Sequence, residues 1–219
     1  MSRQKFLTLT PELYDYACAQ RSGAHDPLLE RLRQETDTLG DISRMQISRE
    51  QGSFLALLTA AIGARQVIEL GTFTGYSALC FARALPEDGR LLCLDLNAEW
   101  TSIARRYWRE AGVEKKVELR LGPAEEQLQK LPATEQFDLA FVDANKPGYD
   151  RYYEFLLPRL RPNGLLLFDN MLYGGHVLDP QDDEDAQALH ALNRKLATDP
   201  RVECVLLPFA DGIQICRKR

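Results

Sequence analysis

From Gln66 onward the chain alternates short apolar runs with longer amphipathic stretches. Runs at Val67–Leu70, Arg90–Asp95, Val117–Leu121, Phe137–Val142, Gly164–Phe168, Val202–Leu207 and Gly212–Cys216 have strand length and are bounded by turn residues. Helical patterns separate them at Gly75–Ala84, Ala98–Ala111, Pro123–Lys130, Tyr149–Leu160 and Asp182–Thr198. Alternation of this kind with short connections predicts an α/β fold, a doubly wound, Rossmann-like and mostly parallel sheet of seven strands. No helix separates the last two strands; Leu207-Pro-Phe-Ala-Asp-Gly212 joins them, which predicts an antiparallel hairpin at one edge.

The first 63 residues are helical in pattern. Thr10 reads as an N-cap before Pro11, opening a helix to about Gln20. Asp26-Pro27 opens a second, largely polar helix to about Leu39. A third runs from Ser48 or Gly52 to about Ile62 and carries Phe54, Leu55, Leu57, Leu58 and Ala61, so it should pack against the sheet. With no repeat, low-complexity tract or Gly/Ser linker, the organisation reads as one domain, 1–219. A helical extension (1–63) precedes an α/β core (64–219).

Composition narrows the function classes. Hydrophobic residues at 45% and charged residues at 27% are those of a soluble globular protein. A net charge of -5 argues against a nucleic-acid partner, which would favour a basic surface. Cys18, Cys80, Cys93, Cys204 and Cys216 show no paired spacing and read as reduced, mostly buried thiols. No apolar stretch reaches the ~20 residues of a membrane span. A cytoplasmic location without membrane contact is the expectation.

The chemistry-bearing residues lie where strands end. Phe137–Val142 stops at Asp143-Ala-Asn145-Lys146, and Gly164–Phe168 stops at Asp169-Asn170. Ligands of open α/β sheets bind outside these carboxyl ends. Two Asp and one Asn delivered there form a hard-oxygen donor set suited to a divalent cation, with a basic amine beside it. The first strand runs into Glu69-x-Gly71-x-x-x-Gly75, a tight turn into a helix, and Asp95 ends the second strand where a carboxylate can accept from ribose hydroxyls. A dehydrogenase would carry Gly-x-Gly-x-x-Gly around a pyrophosphate. Here the pattern is instead Glu-x-Gly-x-x-x-Gly, with an acid at Glu69.

The Glu69–Gly75 loop resembles motif I of the class I S-adenosylmethionine-dependent methyltransferases. Taken with Phe137–Lys146, Phe168–Asn170, Met45–Leu55 and Asp211-Gly212, the chain resembles the metal-dependent catechol and caffeoyl-CoA O-methyltransferase family over nearly its whole length. The resemblance implies S-adenosyl-L-methionine as methyl donor. Its contacts would come from Met45 and Ile47, from Glu69, Gly71, Thr72, Tyr76 and Ser77, from Asp95 and Leu96, and from Ala124, Asp143 and Asn145. It further implies a divalent cation (magnesium foremost, manganese or calcium otherwise) on Asp143, Asp169 and Asn170. Asp143 and Lys146 would then be catalytic, with Lys146 the base for the acceptor hydroxyl. Lys5 and Gly174 fall at acceptor-binding positions, and a homodimer acting on a small phenolic or catechol acceptor is implied.

Three positions depart from the family pattern. Asn145 replaces an Asp of the caffeoyl-CoA enzymes, Ile47 a Thr, and Gly174 an Asn of plant members. Trp100 and Tyr107 are candidates to flank adenine, Trp108 a packing residue, His176 an exposed loop residue, and Asp182–Asp185 a favourable start for the last helix. Two other classes compete. A nicotinamide oxidoreductase would use the sheet and Asp95 but would leave Asp143, Asp169, Asn170 and Lys146 without a role. A non-catalytic S-adenosylmethionine-binding protein is motivated by Asn145 and Ile47.

Overall fold

The computed structural model describes residues 7–219. Strands β1 (Gln66–Leu70), β2 (Arg90–Asp95), β3 (Val117–Leu121), β4 (Phe137–Val142), β5 (Leu160–Phe168), β6 (Val202–Leu207) and β7 (Ile213–Lys218) form one sheet ordered β3-β2-β1-β4-β5-β7-β6. Pairings among β1 to β5 are parallel, while β7 runs antiparallel to both β5 and β6. The chain reverses its direction of travel across the sheet between β1 and β4, which creates the crevice where such sheets bind ligands.

Helices α1 (Pro11–Ala19), α2 (Pro27–Asp37) and α3 (Arg49–Ala61) precede the sheet; α4 (Tyr76–Ala84), α5 (Ala98–Glu110), α6 (Ala124–Gln129), α7 (Tyr149–Leu156) and α8 (Glu184–Leu196) follow its strands. Alternate residues of each strand face opposite layers. Ile68, Leu94, Val142 and Phe168 pack with Tyr149, Tyr153 and Leu192 on one side. Val67, Cys93, Phe141 and Leu167 pack with Leu55, Leu79, Phe81 and Trp108 on the other. Thr10 and Asp26 cap α1 and α2 as expected, and Asp183, within the acidic run, caps α8.

The differences from the sequence expectation have local causes. The seventh helix was expected to reach Leu160, but α7 ends at Leu156 and Pro158 sits in a 3-10 turn before the chain turns extended. Strand β5 then begins at Leu160, hidden in sequence by the polar Arg161-Pro-Asn163 segment and a register irregularity opposite Phe137–Leu139. Leu57 of α3 is 72% exposed rather than packed inward, because α3 turns Leu55 and Thr59 to the core. Tyr107 is buried with its hydroxyl on Glu35, a packing role and not an adenine contact. Cys204 and Cys216 face each other across β6 and β7 with sulfurs 2.8 Å apart, and all five cysteines are free thiols.

Asp138 secures the end of the sheet remote from the crevice. Its Oδ2 accepts from the Arg65 and Gln66 amides at 2.7 and 2.8 Å, and its Oδ1 accepts from Arg161 Nε at 2.6 Å, tying together the starts of β1, β4 and β5. Burial pushes its carboxyl up, yet the amide and guanidinium donors outweigh that and hold it below the usual range. Asp138→Ala should therefore cost about 1–3 kcal/mol of folding stability near neutrality. The loss should fade as pH falls through the carboxylate range, where the group protonates in both states. Urea unfolding at several pH values tests this; an unchanged midpoint would mean the strands are held without it.

Candidate functional site

Pairing of Val142 with Phe168 sets the next residues, Asp143 and Asp169, side by side at the crevice. Their amides continue the ladder, Asp143 N donating to Leu70 O at 2.8 Å and Asp169 N to Val142 O at 3.0 Å. Lys146 lies one turn beyond Asp143, and its ammonium donates to Asp143 Oδ1 (3.1 Å), Asn170 Oδ1 (2.6 Å) and Tyr149 Oη (2.8 Å). Asn170 reaches back to it because its backbone is left-handed, φ 58°, a conformation Asn tolerates. Three residues, two from the ends of β4 and β5 and one from the start of α7, thus converge on one cation, the lysine's own.

Burial shapes the electrostatics. Asp169 is 2% exposed, and desolvation with the Asp143 charge beside it pushes its carboxyl up to about 7. Tyr149 is pushed well above the phenol range by burial and by the charges of Asp143 and Asp169. Two neighbouring carboxylates in a dry site need positive charge to stay ionised together. The donor set, two carboxylates and an amide oxygen around an ammonium, fits a hard divalent ion better than a soft one. Among the described residues no group of three or more His, Cys, Asp or Glu is arranged to hold a metal.

The β1 turn forms the neighbouring half of the site. Gly71 has φ +87° and lies so near Asp143 that an added Cβ would stand 2.0 Å from its carbonyl oxygen, so only glycine permits β1 and β4 to end this close. Glu69 is fully buried, its Oε1 has no hydrogen-bond partner, and Thr72 Oγ1 nearby is likewise unpaired. Such unmet polar atoms at a ligand crevice are what a cofactor with amine or hydroxyl donors would complete. Ser77 and Tyr76 are buried at the start of α4. Buried Thr36 and Thr74 with half-buried Gln46, whose Nε2 lies 2.9 Å from Thr36 Oγ1 and 3.1 Å from Thr74 Oγ1, fasten Met45–Ile47 to this turn.

The remaining expected residues fall into three groups. Asp95 accepts from the Thr72 and Phe73 amides through Oδ2 (both 2.8 Å) and from Asn97 through Oδ1 (2.8 Å), so it shapes the turn and keeps one Oδ1 lone pair for a ligand. Trp100 stands edge-on to Phe73, 5.1 Å between centroids, and Leu96 is exposed beside it. Ala124 opens α6 after the Gly122 turn. Asn145 Oδ1 accepts from Tyr152 Oη at 2.6 Å, so part of its polar capacity is spent within the protein. Gly174, φ +60°, donates its amide to Asp211 Oδ1 at 2.7 Å, and His176 is exposed as expected. Lys5 lies outside the described residues.

Sequence reasoning gave no role to Gln51 or Tyr149, and named Asp211 only as part of the family resemblance. Gln51 touches both oxygens of Asp169, Tyr149 holds Lys146, and Asp211 Oδ2 accepts from Asn170 Nδ2 at 3.4 Å. Gln51 left a local trace in sequence, the Ser48-x-x-Gln51 capping box, and that pattern speaks of a helix start rather than a site.

Burial pushes the Glu69 carboxyl up to about 7. A raised carboxyl favours folding fully below its ordinary range, and that contribution is lost as pH rises through about 7. Glu69→Gln, which cannot ionise, should match the parent near pH ~3.5 and gain up to ~3 kcal/mol over it near pH ~8.5. Urea unfolding across that range checks this, and parallel stability curves would contradict it.

The O-methyltransferase family profile matches residues 19–219. Tricin synthase 1 of Oryza sativa subsp. japonica is 43% identical, over 80% of this chain and 75% of its own length. Caffeoyl-CoA O-methyltransferase 2 of Zea mays is 37% identical over 98% of this chain and 85% of its own. The O-methyltransferase TomG of Streptomyces achromogenes, solved in complex with SAM, superposes with a TM-score of 0.85 at 31% identity, covering 94% of each chain. These likenesses set aside the nicotinamide oxidoreductase and the non-catalytic binder. No helix among the described residues is long and apolar enough to cross a membrane. Sheet order, the Glu69–Gly75 turn and these matches agree: the chain belongs to the S-adenosylmethionine-dependent O-methyltransferase family, and it is an enzyme of that class.

Proposed function

We propose that the chain methylates a hydroxyl of a small catechol-like or hydroxycinnamoyl acceptor, free or as its CoA ester, and that the reaction requires a divalent cation. The observation that carries this reading is the convergence of Asp143, Asn170 and Tyr149 on the Lys146 ammonium, with buried Asp169 alongside. The printed names of the maize and rice relatives support the phenolic class of acceptor.

Asp143, Asp169 and Asn170 would hold the ion, magnesium foremost among hard cations with manganese or calcium as substitutes. A divalent cation there supplies the acidity that a phenol lacks near neutrality and fixes two adjacent oxygens of a catechol. Lys146 would take the acceptor's hydroxyl proton as the neutral amine, having first given a proton to solvent, a loss that the like charge of the ion would favour. Tyr149 Oη, 2.8 Å from that nitrogen, keeps it within reach of the crevice. Glu69, Ser77, Asp95 and the Gly71–Gly75 turn would hold the methyl donor so that its methyl lies in line with the acceptor oxygen, where positioning supplies much of the acceleration. Met45, Ile47, Tyr76, Leu96, Ala124 and Asn145 would complete that pocket, and Gly174 would border the acceptor. Exposed Leu9 and Tyr16 on the N-terminal segment and Leu57 on α3 support a homodimer.

Methyl transfer to a panel of catechols, phenols and CoA esters, followed by mass spectrometry, should give a gain of one methyl that is lost with EDTA and restored by magnesium. Transfer that survives exhaustive chelation would remove the cation from the reading. Asp169→Ala should lose most turnover while retaining S-adenosylhomocysteine affinity in calorimetry; equal turnover would exclude it as a ligand. Lys146→Ala should lower kcat by roughly 100-fold or more, with the deficit shrinking for more acidic phenols. A deficit independent of acceptor acidity would make the lysine structural.

A further inference from the structure

Gln51 is buried at the first turn of α3, a helix outside the sheet, yet its side chain ends on Asp169. Its Nε2 donates to Asp169 Oδ1 and Oδ2, both at 3.0 Å. Its other end is committed: Oε1 accepts from the Ser48 amide at 2.8 Å, within the capping box of α3. That acceptor fixes which way the amide faces, since a flipped Gln51 would set two donors against each other at Ser48 and an oxygen against a carboxylate at Asp169.

Lone pairs can then be counted. A carboxylate offers about four lone-pair sites, two on each oxygen. Asp169 Oδ1 shares the Gln51 N–H with Oδ2 and also takes the Asn170 amide, the latter at 2.8 Å, so it is the more heavily occupied oxygen. Asp169 Oδ2 has only its share of the Gln51 N–H. Oδ2 is therefore the oxygen with more capacity left for an ion.

We propose that Gln51 is a positioning residue for the cation site: its amide holds Asp169 turned so that Oδ2, the less occupied oxygen, would be presented to a divalent ion. The inference rests on the cation reading above. It also accounts for glutamine at this place. A capping box is completed equally well by Glu or Gln, but only Gln brings an N–H to Asp169, while Glu would bring a second negative charge. The start of α3 is thereby coupled to the ends of β4 and β5. Outer-shell partners of ligating carboxylates commonly govern metal affinity to a comparable degree.

The test uses the full chain with S-adenosylhomocysteine bound, titrated with Mn2+ while the free-ion electron paramagnetic resonance signal is recorded. Gln51→Met fills the same slot without a donor, and its Mn2+ affinity should fall roughly 10-fold or more with S-adenosylhomocysteine affinity unchanged. Ser48→Ala is the control for capping alone: it should lower the melting temperature and leave Mn2+ affinity intact. Should Gln51→Met not fold, Gln51→Asn draws the amide back by one methylene and should weaken Mn2+ in the same direction. If the parent binds Mn2+ and a folded Gln51 variant binds it equally well, the positioning role is overturned and the cation site stands. If the parent binds no Mn2+, both fall.

Discussion

The parallel pairing of Val142 with Phe168 is the constraint on which the site depends. It brings two strand ends to the same level, so that the next residue of each, Asp143 and Asp169, arrives at one place without any loop having to carry it there. Strands held in a ladder are rigid, and side chains mounted at their ends inherit that precision. The arrangement also creates a demand, because two carboxylates this close in a dry crevice repel each other. In the protein alone the Lys146 ammonium, Asn170 and the Gln51 amide meet that demand between them.

The β1 turn follows from the same constraint. For β1 to end beside β4, the chain at Gly71 must pass the Asp143 carbonyl at a distance that excludes a side chain. The turn then leads directly into α4, whose first residues Tyr76 and Ser77 are buried at the crevice. Asp95, from the far side of β1, ties that turn through two of its amides. Glu69 is left desolvated with an unmet oxygen, at a cost in folding that makes sense in a crevice built for a ligand with donors to offer. The proposed donor site and the proposed cation site are therefore two consequences of one sheet edge.

Much of this was legible from the chain. Apolar runs ending in Asp-x-Asn-Lys and Asp-Asn announce themselves because buried parallel strands are continuous in hydrophobicity and their ends are not. The glycine spacing of the β1 turn was equally plain. What sequence concealed were interactions made by residues with ordinary local explanations. Gln51 completes a local capping box, Tyr149 opens a helix and Asp211 precedes the Gly212 turn, and each acquires its contact at the site only when distant elements meet. Asp95 adds a contact its spacing did not announce: two of its lone pairs hold the β1 turn and a third takes the Asn97 amide. The early start of β5 was hidden because Arg161-Pro-Asn163 breaks the apolar pattern that marks a strand. Tyr107 was misread because an aromatic near an expected cofactor pocket looks the same in sequence as one bonded to a neighbouring helix.

The central claim is that Asp143, Asp169 and Asn170 hold a divalent ion that displaces the Lys146 ammonium. Anomalous diffraction from crystals grown with Mn2+ and S-adenosylhomocysteine addresses it most directly. The account predicts one strong peak bounded by Asp143, Asp169 and Asn170 oxygens, with a single Asp169 oxygen ligating and Lys146 Nζ withdrawn from Asp143 and Asn170. Crystals that show no peak there, with Lys146 still bonded to both, would contradict it.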